Sequence, residues 1–222
     1  MKRHNLSAAI LLAVSLGSFQ AHSASEPLEV GITYQWQGGE TEWLPYFDIE
    51  KMTDYGLLYA QATEFGVAFP LWSPLFTSVA VSPMFAEQHV ISGGRHQRNE
   101  TLSAGAVWRL GVTLNDDGYL STGILYDVSE TQDPEWFIDN SVPMLPDMSL
   151  NTWLRYKSER VYDKDQHIRK RQSGIREMGI SIEQQFTVTE RWNAYVEFGA
   201  VYEGFEYHTT EGMLKLTLTH QF

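Results

Sequence analysis

Half of the chain's 16 Lys and Arg residues lie between Arg155 and Arg176, in RYKSERVYDKDQHIRKRQSGIR, although 28 Asp and Glu give the whole sequence a net charge of −12. Arg169, Lys170 and Arg171 are consecutive there. Guanidinium and ammonium groups at this density pair with phosphate oxygens, so one expectation for these three residues is a contact with a phosphate-bearing surface. The alternative is a solvated loop in which Glu159, Asp163 and Asp165 balance the charge. A second set, Arg109, Arg155, Glu177, Glu183, Glu197 and Glu203, is dispersed, but each member occupies the polar phase of an alternating segment. Such residues either close on one another as ion pairs, because unpaired charge in a confined space is costly, or line a path that cations prefer.

Other reactive groups give weaker signals. His208 stands beside Thr209 and Thr210, and Ser103 and Ser121 sit on polar phases, yet no nucleophile motif surrounds any of them. Catalysis is not expected. His89, His96 and His167 have no metal-site spacing, and ISGGRH lacks the strand, Lys and helix context of a phosphate-binding loop. No cofactor is expected, and the acidic balance argues against a nucleic-acid partner. With no Cys there is no disulfide, thiol nucleophile or thiolate ligand.

The elements that must position these groups are read from periodicity. In MLKLTLTHQF, at the end of the chain, Leu214, Leu216, Leu218, His220 and Phe222 fall on one face of an extended strand, and Lys215, Thr217, Thr219 and Gln221 on the other. RWNAYVEFGAVYEG, REMGISIEQQF, LSAGAVWRL and YLSTGILYD repeat the pattern, with Trp, Tyr or Phe near the segment ends. A helix would put Glu177 with Ile180, and Glu197 with Ala200, on shared faces, whereas a period of two separates charge from apolar groups.

The first residues carry Lys2, Arg3 and His4, then an apolar run from Ala8 to Phe19, then small residues around Ala21, Ser23 and Ala24. This is the order of a secretory signal peptide over residues 1–23, with Ala21 at the −3 position of the cut. Residues 24–222 then form one exported domain, with 14 basic residues left once Lys2 and Arg3 are gone. No later run approaches the ~20 apolar residues of a spanning helix. Short alternating strands with aromatic ends instead predict an all-β, closed antiparallel transmembrane barrel in a Gram-negative cell outer membrane.

Parity sets the strand count. Both termini are expected in the periplasm, which makes the turn at 187–190 and VPMLPD periplasmic and the stretches 158–173 and 87–100 long outer loops. NDDG at 115–118 becomes a tight periplasmic turn. Twelve strands result if LLYAQATEFGVAFPLW splits near 63–65, and ten if it does not. The phosphates beside Arg169, Lys170 and Arg171 would then be those of lipopolysaccharide, and outer-membrane lipid the surrounding solvent.

The succession GITYQW, LPYFDIEKMTDYG, LLYAQ, GAVWRLG, ILYDVSE and ISIEQQFTVTERWNAYVEFG, up to the terminal Phe, resembles the MipA/OmpV family of outer-membrane barrels, those similar to the MltA-interacting protein. TQDPEW replaces the Gly- and His-containing loop usual after ILYDVSE in that family. The resemblance implies a non-enzymatic scaffold or contact protein of the cell envelope, with a murein transglycosylase or penicillin-binding protein as partner. The alternatives are a narrow cation-preferring solute channel or, third, a lipid-modifying barrel enzyme.

Overall fold

The computed structural model describes residues 28–54, 56–61, 64–92, 95–114, 118–127, 133–163, 168–204 and 208–222, without the side chains of 84–102 and 159–172. The leader expected over 1–23 lies outside the described residues. Twelve strands follow one another: β1 (Glu29–Gln37), β2 (Glu40–Thr53), β3 (Gly56–Gln61), β4 (Glu64–Trp72), β5 (Leu75–Ser92), β6 (Arg95–Leu114), β7 (Gly118–Asp127), β8 (Glu135–Leu145), β9 (Met148–Asp163), β10 (Ile168–Thr189), β11 (Trp192–Glu203) and β12 (Thr209–Gln221). Each pairs with its neighbours in sequence, and β1 pairs with β12, closing the barrel antiparallel throughout the wall. The expected split near 63–65 occurs, β3 ending at Gln61 and β4 starting at Glu64, which makes the count twelve rather than ten.

Closure leaves no free edge along the β1–β12 seam, where nine residue pairs run from Glu29↔Gln221 to Gln37↔Met213. The β1–β2 turn needs φ > 0 at both central positions, and the chain supplies Gly38 and Gly39 at 56° and 88°, the residues such a hairpin favours. On the other side of the wall, the β8–β9 turn is tighter than the Pro-bounded VPMLPD suggests, because the strands run to Leu145 and resume at Met148. The 187–190 turn likewise shrinks, since β10 continues to Thr189 and β11 starts at Trp192.

The wall is inverted relative to a water-soluble domain. Leu216, Leu218, Phe198, Ile180, Ile138 and Trp108 are exposed on the outside, while Thr219, Ser181, Asp127 and Glu135 are among the most buried residues. Aromatic groups mark both rims: His220 is edge-on to Trp192 at 4.8 Å and to Phe222 at 4.6 Å, and Trp136 lies directly across from Tyr156 toward the other end. His220 is therefore part of a girdle, as its place in the Leu series implies. Leu216, 42% exposed between Tyr34 and Val196, lies between the two girdles. Leu216→Arg should lower unfolding stability in lipid vesicles by about 2–4 kcal/mol, the cost of a cation near the bilayer midplane. A neutral result in a urea titration would remove lipid from that face.

Two expected outer loops are corrected. Residues 87–100 belong to a hairpin of the 18-residue β5 and the 20-residue β6, and 158–173 are largely the continuation of β9 and β10. Alternation carries on into polar sequence because backbone pairing is indifferent to it. Outer ends of β5 and β9 pair with each other in parallel over His89↔Val161, Val90↔Tyr162 and Ile91↔Asp163. Since β6, β7 and β8 separate them in the wall, this pairing requires the β5–β6 arm to arch over the mouth.

Candidate functional site

Alternation carries all six anticipated charges to the lumen. Arg109 lies on β6, Arg155 on β9, Glu177 and Glu183 on β10, Glu197 and Glu203 on β11, with Arg109, Arg155, Glu177 and Glu197 lining one cavity of about 430 Å³. Their partners differ from the expected set. The Arg109 guanidinium forks onto Glu64 of β4, donating from Nη2 to Oε2 at 2.7 Å and from Nη1 to Oε1. Arg155 donates to Asp139 of β8 at 3.2 Å. Both cations also stand over the Phe137 ring, at 5.1 and 5.2 Å from its centroid.

Phe137 is only 1% exposed and packs with Ala80 and Val107, flanked by Tyr59 and Leu125. The lumen is therefore divided: an apolar plug with two neutralised arginines fills the side built by β3–β8, and the cavity opens toward β9–β12 and β1. There the carboxylates predominate. Glu197 meets Lys215 of β12 at 3.1 Å and accepts from the Ser181 hydroxyl. Glu177 accepts from the Trp153 indole, and Glu203 from the Gln37 amide at 3.0 Å. Glu183 lies directly opposite Glu197 across the β10–β11 ladder and makes no hydrogen bond or ion pair to a described residue.

Toward the end where the chain terminates, Glu29 collects neutral donors: Thr219 Oγ1 at 2.6 Å, Asn193 Nδ2 at 3.1 Å and the Tyr195 hydroxyl at 3.2 Å. Tyr195 stacks on Tyr46, and Asp48 faces Glu29 across the β1–β2 ladder. Toward the opposite end, Arg176 reaches Glu135 at 2.7 Å. Strict alternation would send Arg176 outward, since Glu177 points in. A register shift between Ile175 and Glu177 re-aims it, as bulges do.

Sequence reading missed Glu64, Asp139, Glu29, Lys215 and Trp153. Glu64, Asp139, Glu29 and Lys215 share the polar phase of their strands, which was the available signal; Trp153 had none, because an indole on a lumen phase reads as a girdle residue out of place. Ser103 donates to Asp127 at 2.6 Å, Ser121 is buried on β7, and His208 is 3.0 Å from the Tyr202 hydroxyl. The structure does not bring these three into one site. Arg169, Lys170 and Arg171 pair by backbone with Tyr162, Val161 and Arg160, and their side chains lie outside the described residues, as do those of His89 and His96.

A closed antiparallel wall with an apolar, aromatic-rimmed exterior and a charged interior defines an outer-membrane β-barrel. In fold the chain is similar to the KdgM porin, at a TM-score of 0.50 and 10% identity over 87% of this chain and 99% of that one. It is also similar to the CymD monoaromatic hydrocarbon channel, with a TM-score of 0.47, 5% identity and coverage of 99% and 93%. The NanC porin gives 0.39, 8% identity and coverage of 87% and 100%. No protein-family model and no curated protein matches the sequence. At these identities the likeness concerns the fold alone.

Proposed function

We propose that the chain forms a narrow, cation-preferring passage across the outer membrane. The observation that carries this reading is the set of inward carboxylates, Glu29, Glu177 and Glu183, none of which closes an ion pair with a described residue, although Arg155 stands opposite Glu177 in the β9–β10 ladder. Arg109, Arg155 and Lys215 are each answered by an acid of their own; the charged lining of the cavity balances, these three against Asp139, Glu177 and Glu197, and the negative excess of the lumen lies with carboxylates such as Glu29 and Glu183 outside that lining. Like charges directly opposite in a ladder reduce stability, and the Glu183–Glu197 juxtaposition is useful where a mobile cation fills the space between them.

A scaffold of MipA/OmpV type holding a murein enzyme would draw on the periplasmic rim. The β8–β9 and β10–β11 connections there are two-residue turns, a small contribution to the ~800 Å² per partner of a standard interface. The passage is therefore the reading that the geometry favours, with a non-catalytic role. Purified barrel in a planar bilayer under a tenfold KCl gradient should give a steady current whose reversal potential favours K⁺ over Cl⁻ about tenfold. Silence, or a preference for Cl⁻, overturns it.

A further inference from the structure

The wall is incomplete on one side. β3 has six residues and pairs with β2 only between Asp48↔Gln61 and Thr53↔Gly56. Toward the outer end, β2 continues from Phe47 to Glu40 with β1 on one edge and no described strand on the other. β5 likewise runs past Val81, its last partner on β4, toward the mouth, where its outer end joins β9. At ~3.3 Å per residue and ~40° tilt, six residues climb about 15 Å, well short of the ~25 Å apolar band. The β3–β4 hairpin therefore ends within the apolar band, leaving a notch between β2 and β5, which at the level of the hairpin stand three strand spacings apart, about 14 Å.

Two features show that the sequence accommodates this notch. Unpaired backbone groups at membrane depth are tolerated only where they border protein or a water-filled space, and each free edge carries a proline, Pro45 on β2 and Pro83 on β5. A proline in a ladder must turn its nitrogen away from the paired neighbour, here Ile32 and Ala104, and so removes one donor from the bare edge. The outward phase beside the notch is aromatic: the exposed Trp43 is edge-on to Tyr34 at 5.0 Å, and the buried Phe47 packs 6.0 Å from Phe65. At the foot of the notch, level with Gln61, Asp48 has a buried Oδ1 that accepts no hydrogen bond from a described residue.

We propose that the notch is a lateral portal between the lumen and the bilayer, taking a small amphipathic cation whose apolar body lies along Trp43 and Phe65 and whose charge faces Asp48 and Glu29. The sign of the occupant's charge rests on the cation-preferring passage proposed above; the portal itself rests on strand pairing alone.

The two parts are tested in one experiment. The chain has no cysteine, so Ser82→Cys and Leu44→Cys, on the lumenal phase of the two lips, each accept a single nitroxide. Asn151→Cys, on the lumenal phase of a strand paired on both sides, and the lipid-facing Ile180→Cys serve as references. In phosphatidylcholine vesicles, the collision rate with oxygen at residues 82 and 44 should fall within twofold of that at 180 and at least threefold above that at 151. Values equal to that of residue 151 at both lips mean a shut wall and overturn the portal. Tetraphenylphosphonium should then lower the oxygen collision rate at residue 82 at least twofold, while tetraphenylborate, of nearly the same shape and opposite charge, should not. Protection by the borate, or by neither ion, overturns the assigned occupant and leaves the portal standing. The K⁺ selectivity measurement separately reports on the passage.

Discussion

Arg109→Ala is expected to destabilise the barrel by about 3–5 kcal/mol, the largest stability effect of any single lumenal substitution. Glu64 is 7% exposed and is held by both arms of the Arg109 fork. Removing the cation leaves a carboxylate facing the apolar plug of Ala80, Val107 and Phe137 with no compensating charge, and breaking a buried pair from one side costs this much. Arg109 also covers one approach to the Phe137 ring, so the truncation opens a void against the plug. Urea titration of the refolded barrel in lipid vesicles reads the loss. The double variant Arg109→Met, Glu64→Leu should recover most of it, since replacing both partners with apolar groups of similar volume is near neutral. A single variant within 1 kcal/mol of the unsubstituted protein would mean that water reaches Glu64 freely and the pair contributes little.

Glu177→Gln with Glu183→Gln should lower the K⁺ over Cl⁻ preference about tenfold and bring it close to unity. In a hydrated lumen, a unit charge about 6 Å from a passing ion contributes roughly 0.7 kcal/mol, a factor of about three for each carboxylate. Two of them multiply. Glutamine keeps the acceptor oxygen for the Trp153 indole, and removing charge from Glu183 relieves its opposition to Glu197, so folding should be unchanged or improved. Reversal potentials under a KCl gradient decide the matter, with the ionic strength held low because screening shortens the reach of each charge. If the doubly substituted barrel remains as selective as before, the selectivity arises elsewhere on the path.

The sequence made the orientation of the charges legible while leaving their partners hidden. Glu197 and Lys215 occupy the polar phases of β11 and β12, and a period of two is enough to turn both inward. That they meet at 3.1 Å follows from the β11–β12 register, in which Glu197 stands opposite Lys215. The same limit explains Arg109. Its expected partners are the acids of β10 and β11, yet β4 and β6 both flank β5, so Glu64 reaches Arg109 from only two strands away. Arg176 shows a different limit, because one bulged residue reverses the facing of a side chain without disturbing the hydrophobic pattern on either side.

The long outer arms of β5, β6, β9 and β10 read as loops because their sequence is polar. A lipid-facing strand announces itself through apolar alternation, whereas a strand standing in water beyond the membrane has no apolar face to show. Local pattern also could not reveal that β3 is too short for the bilayer, although Pro45 and Pro83 mark the edges that its shortness exposes.

By itself the sequence determined the barrel class, the strand count to within one hairpin, and which face of each strand meets lipid, because the side-chain period along an extended chain is local and hydrocarbon tolerates only one kind of neighbour. Tertiary structure alone decided which charges neutralise one another, where the cavity lies, and where the wall is open. Those depend on register, shear and closure, which are set by pairing between strands far apart in the chain and leave no periodic trace in any one of them.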